Sequence, residues 1–149
     1  MAEKVTTNLD KVLTELEGVL DSKLKQIVTL QVATGMLAPV LERIHVEGKD
    51  SSNSEIGTYN NTYLKERMKY YNRTGDKKIV LSLTKQMELD FSVQAVGDDS
   101  YGLGYNNEFN LQKAEWNNNR WGKEIFALTK EEEEKAVAIA KKAFLDAFT

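Results

Sequence analysis

The period of the apolar residues changes once along this chain, and that change limits the folds open to it. From Leu9 through Val12, Leu13, Leu16, Val19, Leu20, Leu24, Ile27 and Val28 the apolar positions recur at steps of three and four, the spacing of one stripe on a helix, with Asn8 placed to cap its start. The stripe broadens through Leu30, Val32, Met36, Leu37, Val40, Leu41 and Ile44, which predicts burial on more than one side. Gly35 and Pro39, the only proline, interrupt it. A proline has no N–H to donate and its ring crowds the preceding turn, so a kink or restart is expected near Ala38.

Beyond residue 78 the period becomes two. Ile79, Leu81 and Leu83 alternate with Val80, Ser82 and Thr84, and Met87, Leu89, Phe91, Val93 and Ala95 alternate with Glu88, Asp90, Ser92 and Gln94, the pattern of two half-buried strands. Gly97-Asp98-Asp99-Ser100 reads as a turn and Tyr101 to Tyr105 as a third strand. Phe109 to Trp121 returns to a helical pattern that runs into Gly122, and Ile125 to Leu128 reads as a fourth strand. Thr129 and Glu132 form a capping box, in which hydroxyl and carboxylate satisfy N–H groups at the start of a last helix, striped by Ala136, Ile139, Ala140, Ala143, Phe144, Ala147 and Phe148. Glu131 to Glu134 lie where the helix dipole favours negative charge.

The two periods together predict an α+β fold. N-terminal helices and a C-terminal helix pack on a mainly antiparallel four-stranded sheet, within one domain spanning 1–149. At 149 residues and 41% hydrophobic the chain is long enough to bury a core of its own. Residues 47–76, rich in Ser, Asn and Gly and longer than the usual connection, read as an inserted loop made for contacts, holding a short helix over Thr62 to Asn72. No basic, apolar leader opens the chain and no run approaches the roughly 18 apolar residues that span a bilayer, so a soluble cytoplasmic product without a membrane partner is expected.

The chemistry-bearing residues are sparse. Cysteine is absent and His45 is the only histidine, which excludes thiolate metal sites, cysteine nucleophiles and multi-histidine centres built from this chain alone. His45, between Arg43 and Glu47, reads as a helix-terminal residue. Asp50, Ser52, Ser54 and Gly57 do not make an EF-hand, because Glu55 stands where that loop needs glycine. No catalytic residue, cofactor or metal is expected, and the chain does not read as an enzyme. A net charge of −3 excludes a globally basic DNA-coating protein.

One segment stands apart. Thr62 to Lys78 sets six bases against two acids, with Tyr63, Tyr70 and Tyr71 interleaved. Such a segment suits a single-strand nucleic-acid surface, where bases stack on rings, or a protein-contact surface, where Tyr and Arg are enriched. Protein contact is the favoured reading. The residues assigned to it are Tyr59, Tyr63, Arg67, Tyr70, Tyr71, Trp116 and Trp121.

Several stretches, Pro39-Val-Leu-Glu-Arg-Ile44, Ile56-Gly-Thr-Tyr59, Leu81-Ser-Leu-Thr-x-x-Met87, Tyr101-Gly-Leu-Gly-Tyr-Asn-Asn107 and Ile125-Phe-Ala-Leu-Thr-x-Glu-Glu132, resemble in their order the neck and tail-completion proteins of tailed bacteriophages, the tail-terminator, virion-morphogenesis and tail-component families. Where members of those families carry a glycine after Leu-Thr, this chain carries Lys85. The resemblance implies a non-enzymatic structural protein made in the host bacterial cytoplasm and located in the virion at the head–tail junction. There it implies a homo-oligomeric ring, six-fold or twelve-fold, that touches portal-adaptor and tail-tube proteins and joins tail to head. Genomic DNA would pass through its lumen without sequence-specific binding.

Overall fold

The computed structural model describes residues 22–82 and 84–148. The first helical stretch expected from Leu9 to Leu20 lies outside the described residues. The elements are α1 (Ser22–His45), α2 (Asn61–Tyr71), α3 (Gln86–Asp90), β1 (Phe91–Val96), β2 (Ser100–Tyr105), α4 (Glu108–Trp121) and α5 (Lys130–Asp146).

α1 is the central element. Val28, Val32, Ala33, Met36, Val40 and Ile44 are all buried at helical spacing, against α5 and the β1–β2 hairpin. α5 turns Ala136, Ala140 and Ala143 toward it. Small side chains bring the two backbones close: a Cβ on Gly35 would stand 2.7 Å from Ile139 Cδ1. The helix continues to His45 with Pro39 inside it, so the restart expected near Ala38 does not occur. Packing on both flanks holds the turn that the missing proline N–H weakens. By length and composition α1 is also long and apolar enough to cross a bilayer, which corrects the expectation that no stretch is. One side of it lines the core, while Ile27 and Leu30 stay exposed.

The helix ends follow local chemistry. Asn60 caps α2 through its side chain to Tyr63 N at 2.8 Å, Asn107 caps α4 through Phe109 N at 2.8 Å, and Thr129 and Glu132 make the reciprocal bonds of the capping box at 3.0 and 3.1 Å. Asn72 and Gly122 end α2 and α4 in the left-handed conformation.

The sheet differs from expectation. It has two antiparallel strands, β1 and β2, in a register running from Phe91↔Tyr105 to Val96↔Ser100 around a Gly97–Asp99 turn. The four-stranded sheet is therefore corrected to one hairpin, for three separate reasons. Met87 to Asp90 coil into α3, and Leu89, assigned to a core face, is 82% exposed. Between Ile79 and Ser82 the chain follows an isolated bridge, Thr58↔Lys78, and then bends at Leu81, where Ser82 N turns back to Val80 O at 2.5 Å. Here side chains stand where a neighbouring strand would: Tyr59 Oη donates to Val80 O (2.8 Å), His45 Nδ1 to Leu81 O (2.7 Å) and Arg67 Nη2 to Ser82 O (2.8 Å). At Ile125 to Leu128 the same substitution recurs. Arg43 Nη1 donates to Ile125 O (2.9 Å), Arg43 Nη2 to Ala127 O (2.8 Å), and Ile125 N donates to Asn118 Oδ1 (3.0 Å). Buried backbone groups need partners, and side chains supply them as well as strands do.

Arg43 is the hub of this arrangement. It is 5% exposed, and besides the two carbonyls above it donates to Lys49 O (2.9 Å) and, through Nε, to Glu132 Oε1 (2.7 Å). One side chain thus joins the end of α1, the following loop, the 125–127 segment and the capping box of α5. The loop itself turns on Gly48, whose φ of +67° and close approach to Ile79 O exclude a side chain. Asp50 then accepts from Ser52 N and Ser54 N, so its Oδ1 is committed to the turn.

Candidate functional site

α2, residues 79–82, the start of α3 and the C-terminal half of α4 enclose an open cavity of about 720 Å³, within the range of ligand pockets. Tyr59, Tyr63, Arg67 and Trp121 line it. The structure thus brings together four of the seven residues assigned to contacts from the sequence. Tyr70 (67% exposed) and Tyr71 lie exposed on α2, and Trp116 (55% exposed) stands on α4, all three outside the cavity wall.

Arg67 governs the electrostatics. It is 4% exposed, its Nη2 is held by Ser82 O, and its guanidinium lies 4.3 Å from the Tyr59 ring centroid and 5.9 Å from that of Tyr63. Its Nε is buried with no hydrogen-bond partner, and among the described residues it forms no ion pair. A buried cation without a carboxylate is costly, and cation–π contact with Tyr59 offsets about 1–2 kcal/mol of that cost. Burial pushes the Tyr59 hydroxyl above its usual range, with Arg67 pulling the other way. Lys85, Lys113 and Arg120 add three further cations to the wall of this cavity, where Glu88 is the one carboxylate among the described residues.

The Glu88 side of the wall backs onto polar groups that sequence reasoning missed. His45 is 4% exposed and clamped between Leu81 O and Tyr105 Oη, the latter 3.3 Å from Nε2. Because a carbonyl only accepts, Nδ1 carries the proton, and Nε2 of the neutral ring accepts from the tyrosine. Desolvation lowers the histidine pKa, against the opposing pull of Leu81 O and Glu88. Burial, with Asp90 and Glu88 nearby, raises that of Tyr105. Glu88 Oε1 is buried without a hydrogen-bond partner. No local sequence signal marks this cluster, since its members are 43 and 60 residues from His45 in the chain.

A second cavity, of about 420 Å³, shares Gln86 and Lys113 with the first and extends the depression to Phe109. The basic tyrosine segment is less available to nucleic acid than its composition implies. Two of its six bases turn inward onto Ser82, Arg67 to the carbonyl and Arg73 Nη2 to Oγ at 2.6 Å. Among the described residues no group of three His, Asp or Glu side chains converges on one point.

Fold and site define an α+β unit with a cationic, aromatic-walled groove. Comparison with protein-family models, with curated proteins and with solved structures found no match to this chain.

Proposed function

We propose that this chain is a structural subunit of a tailed-bacteriophage particle, one that assembles with copies of itself into a ring at the head–tail junction and joins tail to head. The order of motifs from Pro39 to Glu132 supports the reading, and the observation that carries it is the spread of large exposed apolar side chains. Met68, Tyr70 and Tyr71 on α2, Leu89 on α3, Phe109 and Trp116 on α4, and Leu145 and Phe148 at the chain end are each 44–82% exposed. Exposed apolar surface on several elements suits a subunit with neighbours on more than one side. Portal-adaptor and tail-tube proteins are the proposed further partners.

The test is native mass measurement and negative-stain imaging of the purified protein, alone and with isolated tails. A closed ring, or protein seated at the tail end, is expected. A monomer at high concentration that binds neither tails nor heads and is missing from particles overturns the proposal.

A further inference from the structure

The groove has a direction. Phe109, Lys113, Trp116 and Arg120 follow one another at steps of four, three and four along α4, so they share one face of that helix. Lys113 and Arg120 line the larger cavity, Phe109 lines the smaller, and Lys113 belongs to both. Phe109, Lys113 and Arg120 therefore run along one wall of the joined cavities, and the larger cavity is also lined by the buried Arg67, which forms no ion pair among the described residues. From Phe109 to Arg120 the helix rises about 16 Å, a span that an extended chain covers with roughly five residues.

We propose that this groove binds an extended acidic segment of a partner polypeptide, with an apolar side chain on Phe109 and a carboxylate directed to the Arg67 end. The inference deepens the assembly reading and rests on it for the polypeptide nature of the occupant. Charge complementarity selects the segment. Among the described residues, Arg67, Lys85, Lys113 and Arg120 outnumber the two wall carboxylates, Glu88 and Asp90, and Asp90 Oδ2 is already engaged by Asn107 N and Asn110 Nδ2, in a chain whose net charge is −3. An incoming carboxylate supplies a counter-charge to Arg67, and charge-assisted bonds to a guanidinium are strong. The elongated, shared outline of the two cavities favours a peptide over a compact ion.

The test is fluorescence anisotropy on the full chain with a labelled peptide of alternating Glu and Phe, beside Gln/Phe and Lys/Phe counterparts and oligo-dT. The Glu/Phe peptide is expected to bind, to weaken with salt, and to lose about tenfold or more in affinity in Arg67→Gln and in the double variant Lys113→Gln, Arg120→Gln. Lys141→Gln with Lys142→Gln, on exposed α5 positions, leaves binding unchanged. Circular dichroism checks each fold. If Arg67→Gln unfolds, the double variant decides. Absent binding, equal binding of the Gln/Phe peptide, or equal binding of oligo-dT each overturns the inference. Peptide binding by a protein that is missing from particles sinks the assembly reading alone, and no peptide binding by a protein found in particles sinks this inference alone.

Discussion

Glu132→Gln isolates the clamp that holds α1, the 125–127 segment and α5 together. The carboxylate accepts from Arg43 Nε through Oε1 at 2.7 Å and from Thr129 N through Oε2 at 3.0 Å. Glutamine keeps the shape but offers one acceptor oxygen and an NH₂ group. Whichever way the amide turns, a donor faces a donor, either Arg43 Nε–H or the Thr129 N–H. The buried guanidinium also loses its only carboxylate among the described residues. Breaking a buried ion pair costs about 3–5 kcal/mol. Three carbonyls, of Lys49, Ile125 and Ala127, still solvate Arg43, so the loss is expected near the lower end, about 2–4 kcal/mol. Thr129→Ala removes only the hydroxyl cap on Glu132 N and is expected to cost about 1 kcal/mol. Urea unfolding followed by far-UV circular dichroism and tryptophan fluorescence measures both. With the slope m unchanged, the Glu132→Gln midpoint falls well below that of Thr129→Ala, and its Tm drops by roughly 5–15 °C. A Glu132→Gln loss no larger than that of Thr129→Ala refutes the clamp.

Three further outcomes are expected. The folded-state pKa of His45 lies below its unfolded value of 6.5, so the unfolded chain binds the proton first and stability, full above pH 6.5, is lost as pH falls through and below it. The slope reaches at most about 1.4 kcal/mol per pH unit, and urea midpoints of His45→Gln across the same range lack this component, since no other histidine is present; parallel profiles for the two proteins would contradict the assignment. Gly48→Ala places a Cβ against Ile79 O at a φ of +67°, and a loss of roughly 2–4 kcal/mol is expected by chemical denaturation; a loss under about 1 kcal/mol would mean that the loop re-forms elsewhere. Lys85 sits at φ +65° before α3, a strained conformation for a side-chain-bearing residue that costs about 1–2 kcal/mol, so Lys85→Gly is expected to hold or raise the Tm, and a clear drop would contradict the strain.

Lys85 takes the left-handed conformation before α3 although it bears a side chain, which no local pattern announced. The candidate site was half legible. Tyr59, Tyr63, Arg67 and Trp121 stood out as residue types suited to contacts, and they converge. Tyr70, Tyr71 and Trp116 carried the same signal and point elsewhere, because composition ranks a residue without aiming it. Lys85, Lys113 and Arg120 complete the groove and carried no signal of their own.

The local sequence determined α1, α2, α4 and α5, their caps and the hairpin, but not α3, which alternation presented as strand. Thr129 with Glu132, Asn60 with Tyr63, and Gly97 between β1 and β2 act across two to five residues, so the information and the contact lie in the same window. Alternation at Ile79 to Leu83 and the apolar run at Ile125 to Leu128 were read as strands, and among the described residues neither joins the sheet; both segments contain bends. An apolar pattern does not report what the backbone bonds to. Only the tertiary structure decided that Arg43, His45, Tyr59 and Arg67, up to 84 residues away from their partners, take those bonds, leaving two strands where four were expected. The physical reason is that a buried carbonyl requires a donor but not a strand, and which donor reaches it is settled by packing at a distance.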